Sequence, residues 1–164
     1  MSGTIELQQP AKPREPVRWY VRALRVAAVL IAIAGLAAFS YAAYRLTLTP
    51  VADHGQAGGN TDPGHSLRFY WDRPFKDAAL QIGGNLLLLA PLGVLAPIAS
   101  VRLRGPLRLV FLGALVSFVI ECAQGLAVAG RAFDVDDIIL NTCGVLLAYL
   151  ALGRRLSRTL RGRT

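Results

Sequence analysis

The sequence predicts an all-α, polytopic membrane protein with four transmembrane helices and both termini in the cytoplasm. Three observations support this fold class. Hydrophobic residues make up 54% of the 164 residues, mean hydropathy is +0.44, and only 17% of residues are charged, whereas about a quarter are charged in a typical soluble domain. The apolar residues fall into four long runs, and the basic residues lie at the ends of those runs. The length allows one domain.

Each apolar run is long enough, or nearly so, to cross a membrane, for which a helix needs about 20 mostly apolar residues. The runs cover approximately residues 26–44, 82–101, 107–128 and 138–152. The first has no charge. The second contains Pro91 and Pro97, which a spanning helix tolerates because neighbouring helices satisfy the freed carbonyls. The third carries Glu121 and Gln124, and the fourth is short and follows three aspartates.

The runs divide the chain into a transmembrane domain at 26–152, a basic N-terminal segment at 1–25 and a basic tail at 153–164. Thirteen of the 18 basic residues lie in these two segments or around the connection between runs two and three, Arg108 being the second residue of run three: Lys12, Arg14, Arg18, Arg22, Arg25, Arg102, Arg104, Arg108, Arg154, Arg155, Arg158, Arg161 and Arg163. By the positive-inside rule both terminal segments are cytoplasmic, and the loop 45–81 lies outside. The location predicted is the plasma membrane, which the chain crosses several times.

The net charge of +8 is therefore attributed to membrane orientation, and the C-terminal arginines to contact with anionic lipid. No nucleic-acid-binding pattern occurs, so we expect membrane lipids and no nucleic acid as partners. His54 and His65 lack the spacing of metal ligands, and Cys122 and Cys143 form no Cys-x-x-Cys motif. We expect no metal, no cofactor, and two buried free thiols.

The outer loop has two parts. Residues 51–65 are rich in Gly, Asp, His and Pro, which indicates flexibility. Residues 66–80 mix aromatic and charged side chains, which is typical of a segment at the membrane interface.

Polar residues inside or beside the spans are the candidate site, because charge within a membrane is costly and usually functional. The third span runs outward, while the second and fourth run inward. Seven residues therefore fall at one outer level: Asn85, Glu121, Gln124, Arg131, Asp134, Asp137 and Asn141. The sequence predicts that they form one cluster.

Helical spacing supports this grouping. Glu121 and Gln124 are three apart and share a helix face. A single stripe on the fourth span contains Asp134, Asp137, Asn141, Gly144 and Ala148. Its last two members are small and allow close helix packing. Asp136 lies off the stripe; it is one of the candidate ligand-binding residues and could also cap the helix N-terminus, which favours a carboxylate.

A purely structural role for these residues is the alternative. Arg131 would pair with Glu121 or an aspartate, Asp134 would cap its helix, and Asn141 would bond a neighbouring carbonyl. Against it, four carboxylates near one arginine leave excess negative charge, which favours a cation, a proton or a cationic headgroup. No Ser-x-x-Lys or Gly-x-Ser-x-Gly nucleophile motif accompanies the acidic residues.

Three segments resemble the signature of the VanZ-like family. They are residues 85–93 (NLLLLAPLG), 121–124 (ECAQ) and 130–144 (GRAFDVDDIILNTCG). Arg73-Pro74-Phe75 is similar to the end of a further family element, and the resemblance covers roughly residues 73–152. Ala148 departs from the pattern, since members often have glycine there. The resemblance implies a multi-span bacterial membrane protein, one named member being associated with resistance to the glycopeptide teicoplanin, and it implies no settled mechanism.

The leading functional hypothesis is a non-enzymatic protein acting at the outer leaflet on cell-envelope material or a lipid headgroup. Its ligand would be a headgroup, a cell-wall precursor or a glycopeptide, with Arg131 holding an anionic part. A second hypothesis is an enzyme on a lipid-linked or wall-precursor substrate, with Glu121 or Asp137 as acid or base. A third is a small proton-coupled transporter subunit in which Glu121 carries the proton.

Overall fold

A computed structural model describes residues 19–50 and 59–161, and the regular structure in this part of the chain is helical. The helices in chain order are α1 (Trp19–Thr47), α2 (His65–Trp71), α3 (Phe75–Leu88), α4 (Ala90–Ala99), α5 (Pro106–Ala127), α6 (Val135–Ala148) and α7 (Arg154–Arg161). A 3-10 turn (Val101–Leu103) follows α4, and a π-helical turn (Tyr149–Gly153) joins α6 to α7. His54 and most of the loop expected to be flexible lie outside the described residues.

Four helical segments are long and apolar enough to span a membrane, which confirms the all-α class and the number of candidate spans. They are Trp19–Thr47, Phe75–Ala99, Pro106–Ala127 and Val135–Arg161. The second combines α3 and α4, and the fourth combines α6, the π-helical turn and α7. The fourth is 27 residues long. It continues past the apolar run because leucine and arginine favour helix.

The second span bends between α3 and α4 because of Pro91. Proline has no backbone N–H, so it cannot donate to the carbonyl four residues earlier, and its ring crowds the preceding turn. The break falls at Leu89, with φ −100° and ψ 2°. The Leu89 side chain is fully buried there, in a core with Leu92, Leu109, Val145 and Tyr149.

α6 is the central helix of the bundle and packs against α3, α4 and α5. Two glycines make this closeness possible. A Cβ on Gly144 would overlap the Leu86 carbonyl oxygen of α3, and a Cβ on Gly93 of α4 would overlap the Val145 carbonyl oxygen. Small residues are the usual means of bringing membrane helices into backbone contact. Ala148, four residues beyond Gly144, is half-buried.

α1 lies at the side of the bundle, against α4 and α7. Its large apolar side chains are mostly exposed, as are Phe111, Phe118 and Leu126 of α5. A soluble monomer rarely exposes so much contiguous apolar surface. The pattern is that of a surface covered by lipid chains.

Arginines fasten the helix ends at one end of the bundle, here called the arginine end and defined by Arg104, Arg154, Arg158 and Arg161. Arg161 donates to the carbonyls of Ile98 and Ala99 at the end of α4, both at 3.3 Å. Arg104 donates to the Ser157 carbonyl at 2.6 Å, and its own carbonyl accepts from Tyr149 Oη at 2.8 Å. Carbonyls at a helix C-terminus need such partners. Arg161 thus has a structural contact besides any contact with lipid.

Both cysteines are free thiols, but their predicted burial is wrong. Cys122 is half-buried and Cys143 is exposed on α6. Cys143 is one residue away from Gly144, and neighbouring positions on a helix point in directions about 100° apart. It therefore faces away from the α3 contact.

Candidate functional site

The predicted site residues lie at the other end of the bundle, here called the acidic end and defined by Glu121, Asp134, Asp136 and Asp137. α1 and α5 end here, and α6 begins here. The α5–α6 connection turns tightly: the N–H of Arg131 donates to the Val128 carbonyl at 3.2 Å. Gly130 adopts a φ of +77°, a left-handed conformation that glycine allows without steric cost.

Asp134 is the N-cap of α6 and also holds the segment that precedes α2. Its carboxylate accepts from the N–H of Asp136 at 2.8 Å and from Asn60 Nδ2 at 2.9 Å, and it accepts from the Ser66 hydroxyl. The backbones are joined as well: Asn60 N–H donates to the Phe133 carbonyl at 2.8 Å, and Val135 N–H donates to the Asn60 carbonyl at 3.0 Å.

Asp136 receives backbone N–H groups from the start of α2, which corrects its interpretation as a cap of α6. Its carboxylate accepts from Gly64 at 2.6 Å, Ser66 at 2.8 Å and Leu67 at 3.4 Å. The side chain is only 1% exposed. Hydrogen bonds from N–H groups to a carboxylate are among the strong ones. Asp134 and Asp136 therefore form an anchor for residues 60–67.

A polar cavity of about 270 Å³ lies beside this anchor, between α1, α3, α5 and α6. Its lining residues are Leu46, Thr47, Leu80, Gln81, Gly84, Asn85, Leu88, Glu121, Gln124, Arg131, Ala132 and Asp137. Five of the predicted residues thus share one cavity: Asn85, Glu121, Gln124, Arg131 and Asp137. We call it the acidic cavity.

The two carboxylates of the acidic cavity are held by different partners. Asp137 accepts from Asn85 Nδ2 and from the side chain of Gln81. Glu121 is 2% exposed, and its Oε2 accepts from the N–H of Asp134 at 3.2 Å. Both carboxylates are thus oriented by neighbouring groups while facing the same space.

Arg131 and Gln124 hold the end of α1. Arg131 Nη2 donates to the Leu46 carbonyl at 2.9 Å, and Gln124 Nε2 donates to the Thr47 carbonyl at 3.0 Å. Arg131 Nε is buried and has no hydrogen-bond partner within residues 19–50 and 59–161.

The predicted structural pairing of Arg131 with an acidic residue is wrong. In the described part of the chain the ion pair that forms is Arg68–Asp62, at 3.7 Å. Glu121 and Asp137 therefore face the acidic cavity, which Arg131 also lines, without forming an ion pair with it.

Asn141 lies apart from the acidic cavity. It is fully buried between α5 and α6, where its Nδ2 donates to Ser117 Oγ at 2.9 Å. Its Oδ1 has no partner among the described residues. Equal depth in the membrane thus does not bring Asn141 into the cavity, because it faces α5 and not the space beside α3.

The sequence analysis did not identify four residues that belong to the site. Asn60 and Ser66 contact the anchor, and Gln81 and Thr47 line the acidic cavity. One signal was present, because Asn60 and the Asp62-Pro63-Gly64 run after it are typical of a turn. Asn60 Oδ1 indeed accepts from the Asp62 N–H at 2.7 Å. Gln81 lies four residues before Asn85 and so shares its helix face.

A model of the VanZ/LLP1 family matches residues 22–155. The match extends from α1 to the start of α7 and includes every residue of the acidic cavity and of the anchor. Searches of curated proteins and of solved structures find no match. The chain belongs to the VanZ/LLP1 family, and the resemblance carried by its polar segments is confirmed.

Proposed function

We propose that the chain is a multi-pass protein of the bacterial plasma membrane with both termini in the cytoplasm. The support is the charge distribution: the arginine end carries Arg102, Arg104, Arg108 and the basic α7. Positive residues of short connections stay on the cytoplasmic side. The acidic cavity then faces the outer leaflet.

Cysteine labelling tests this orientation. In a variant whose Cys122 and Cys143 have been replaced, Asp62→Cys should introduce a thiol that reacts with a membrane-impermeant maleimide added to intact cells. A cysteine at Thr159 should react only after the membrane is opened. Both positions are exposed in the fold, so accessibility reports the side of the membrane. Labelling of Thr159→Cys from outside contradicts the orientation.

For the molecular role, we propose that the acidic cavity binds the polar headgroup of a lipid or lipid-linked envelope precursor, without catalysis. The observation that carries this is the pair Glu121 and Asp137, both facing one cavity and neither ion-paired with Arg131. Carboxylates favour an amine or another cationic group, while the unpartnered Nε of Arg131 suits a phosphate or carboxylate. A headgroup that carries both charges fits best.

The volume of the acidic cavity limits the size of the ligand. Pockets for drug-sized ligands hold about 300–1,000 Å³, and the acidic cavity holds about 270 Å³. It suits a headgroup better than a whole glycopeptide. Any part in teicoplanin resistance, the role associated with the family's named member, would then act through an envelope lipid and not through capture of the drug.

The binding proposal predicts that Glu121→Gln and Asp137→Asn each reduce the lipid retained through purification by about tenfold. Loss of one charge-assisted contact costs about 1.4 kcal/mol or more, while the amides keep the shape of the side chains. Retained molecules are measured by mass spectrometry in mild detergent.

Asp77→Asn is the matched control, because Asp77 is exposed in the first turn of α3 and does not line the cavity. It should retain the wild-type amount. Unchanged retention in both cavity variants would refute the binding proposal.

An enzyme is the second candidate, favoured by two differently held carboxylates in one cavity. One could act as acid and the other as base on a lipid-linked substrate. The same mass spectrometry distinguishes the two roles: a retained molecule that is chemically unchanged after incubation supports binding, whereas time-dependent conversion supports catalysis.

A further inference from the structure

The arginine end contains a large cavity of its own, of about 780 Å³. It lies where the 3-10 turn, the start of α5 and α7 meet, and its lining residues are Val101, Arg104, Gly105, Pro106, Leu107, Arg108 and Arg158. We call it the basic cavity. It lies at the opposite end of the bundle from the acidic cavity and shares no residue with it.

The segments that line the basic cavity bring only positive side-chain charge to it. Residues 78–120 and 138–164 contain no Asp or Glu, so α4, α5 and α7 provide no side-chain carboxylate at this end. Burial lowers the pKa of Arg104, and the positive charges of Arg161 and Arg158 lower it further. An anion among these guanidinium groups would relieve that repulsion.

Two of the three arginines are held in position by the protein. Arg104 donates to the Ser157 carbonyl at 2.6 Å, and Arg108 Nη1 donates to the Arg102 carbonyl at 2.6 Å. A guanidinium has five N–H donors in a planar fork. The bond from Arg108 to a carbonyl therefore fixes that side chain and leaves donors on it for a phosphate.

An apolar groove continues from the basic cavity along α5. It holds about 620 Å³ and is lined by Arg102, Leu103, Leu107, Arg108, Phe111, Leu112 and Leu115. Leu107 and Arg108 line both spaces. From Leu107 to Leu115 the helix rises about 12 Å, close to half of the roughly 30 Å hydrocarbon thickness.

We propose that the arginine end binds one anionic phospholipid at a defined site. Its phosphate lies among Arg104, Arg108 and Arg158, and one acyl chain lies in the groove beside Leu107, Phe111 and Leu115. This differs from the general attraction of basic residues to an anionic surface, because it specifies which arginines and which apolar side chains hold the lipid.

Native mass spectrometry of the full chain in micelles tests the site. The added probes are phosphatidylglycerol and phosphatidylcholine with the same acyl chains, and soluble glycerol phosphate. We expect phosphatidylglycerol to bind most tightly. The double variant Arg108→Gln/Arg158→Gln should weaken its binding by about thirtyfold, since each basic residue near an anionic lipid contributes a factor of about five.

Two matched controls separate a site from a charged surface. Arg155→Gln removes an exposed arginine of α7 that does not line the basic cavity, and it should change phosphatidylglycerol binding by less than about twofold. Phe111→Ala should weaken the binding of both phospholipids several-fold. Val119→Ala should not, because Val119 is an exposed residue of α5 outside the groove.

Three results would overturn the proposal. A loss of about fivefold in Arg155→Gln, equal to the loss expected per arginine in the double variant, would show diffuse attraction. Equal binding of the two phospholipids would show that the arginines do not select charge. Glycerol phosphate binding as tightly as the intact lipid would show that the groove holds no chain. None of these results bears on the acidic cavity.

Discussion

Replacing Gly144 with alanine is expected to destabilise the bundle by about 3 kcal/mol, within the range seen when a packed interior is forced to accept extra atoms. The added Cβ would overlap the Leu86 carbonyl oxygen. A backbone carbonyl cannot rotate away as a flexible side chain does, so α3 and α6 would have to separate. Because α6 also contacts α4 and α5, the displacement would spread through the bundle. The measurement is the midpoint of unfolding in mild detergent.

Gly83→Ala provides the control for Gly144→Ala, with the same chemical change in a spanning helix. A Cβ on Gly83 meets nothing within 4 Å. Alanine is a better helix former than glycine by about 1 kcal/mol, so this variant should be as stable as wild type or slightly more so. Equal destabilisation by both substitutions would show that Gly144 is not required for the close α3–α6 contact.

Replacing Asp136 with alanine is expected to release residues 64–67, at the start of α2, while leaving the four spans assembled. The carboxylate is the acceptor for the N–H groups of Gly64 and Ser66. Its loss leaves these donors without a partner, at a local cost of about 3 kcal/mol. Amide exchange at 64–67 should then accelerate by more than about a hundredfold, as measured by hydrogen–deuterium exchange.

Asp72→Ala is the comparison for Asp136→Ala, since Asp72 is exposed at the end of α2. It should leave exchange at 64–67 unchanged. Protection that persists in Asp136→Ala would mean that the anchor does not depend on this carboxylate. Asp136 would then return to the candidate ligand-binding residues.

Hydropathy was enough to predict four helices that are long and apolar enough to span a membrane, because a membrane imposes length and apolar composition on each helix separately. The bend at Pro91 follows from the missing N–H of proline. The π-helical turn at Tyr149–Gly153 was not predicted, and it lies where the fourth span packs closely against α4. A Cβ on Gly153 would overlap the Gly93 carbonyl oxygen, and nothing in the local sequence reports that contact.

The sequence predicted that the candidate site residues lie at one level of the bundle, but it did not predict which neighbours their side chains face. Asp134, Asp137 and Asn141 follow one helical stripe, yet the structure gives them three different environments. Asp134 holds Asn60, which is 74 residues away; Asp137 faces the acidic cavity; and Asn141 bonds Ser117 of α5. Helical spacing gives the face of a single helix, whereas the partner opposite that face depends on packing.

The same dependence on packing explains why the contact made by Arg131 was not predicted. Its sequence neighbours suggested an acidic partner, but the left-handed turn at Gly130 accompanies a guanidinium that contacts the end of α1. The Leu46 carbonyl is 85 residues away in sequence. Such long-range backbone acceptors carry no sequence signal, because every residue has a carbonyl.

The central claim is that the acidic cavity is a ligand site, and filling it tests that claim most directly. Gly84 lines the acidic cavity and Gly83 lines an apolar groove on another face of α3, and a Cβ on either meets nothing within 4 Å. Leucine at each position is therefore a matched pair. Mass spectrometry of molecules retained after purification should show the same headgroup-bearing ligand in wild type and Gly83→Leu, and about tenfold less in Gly84→Leu. Equal retention in Gly84→Leu and Gly83→Leu would contradict the claim.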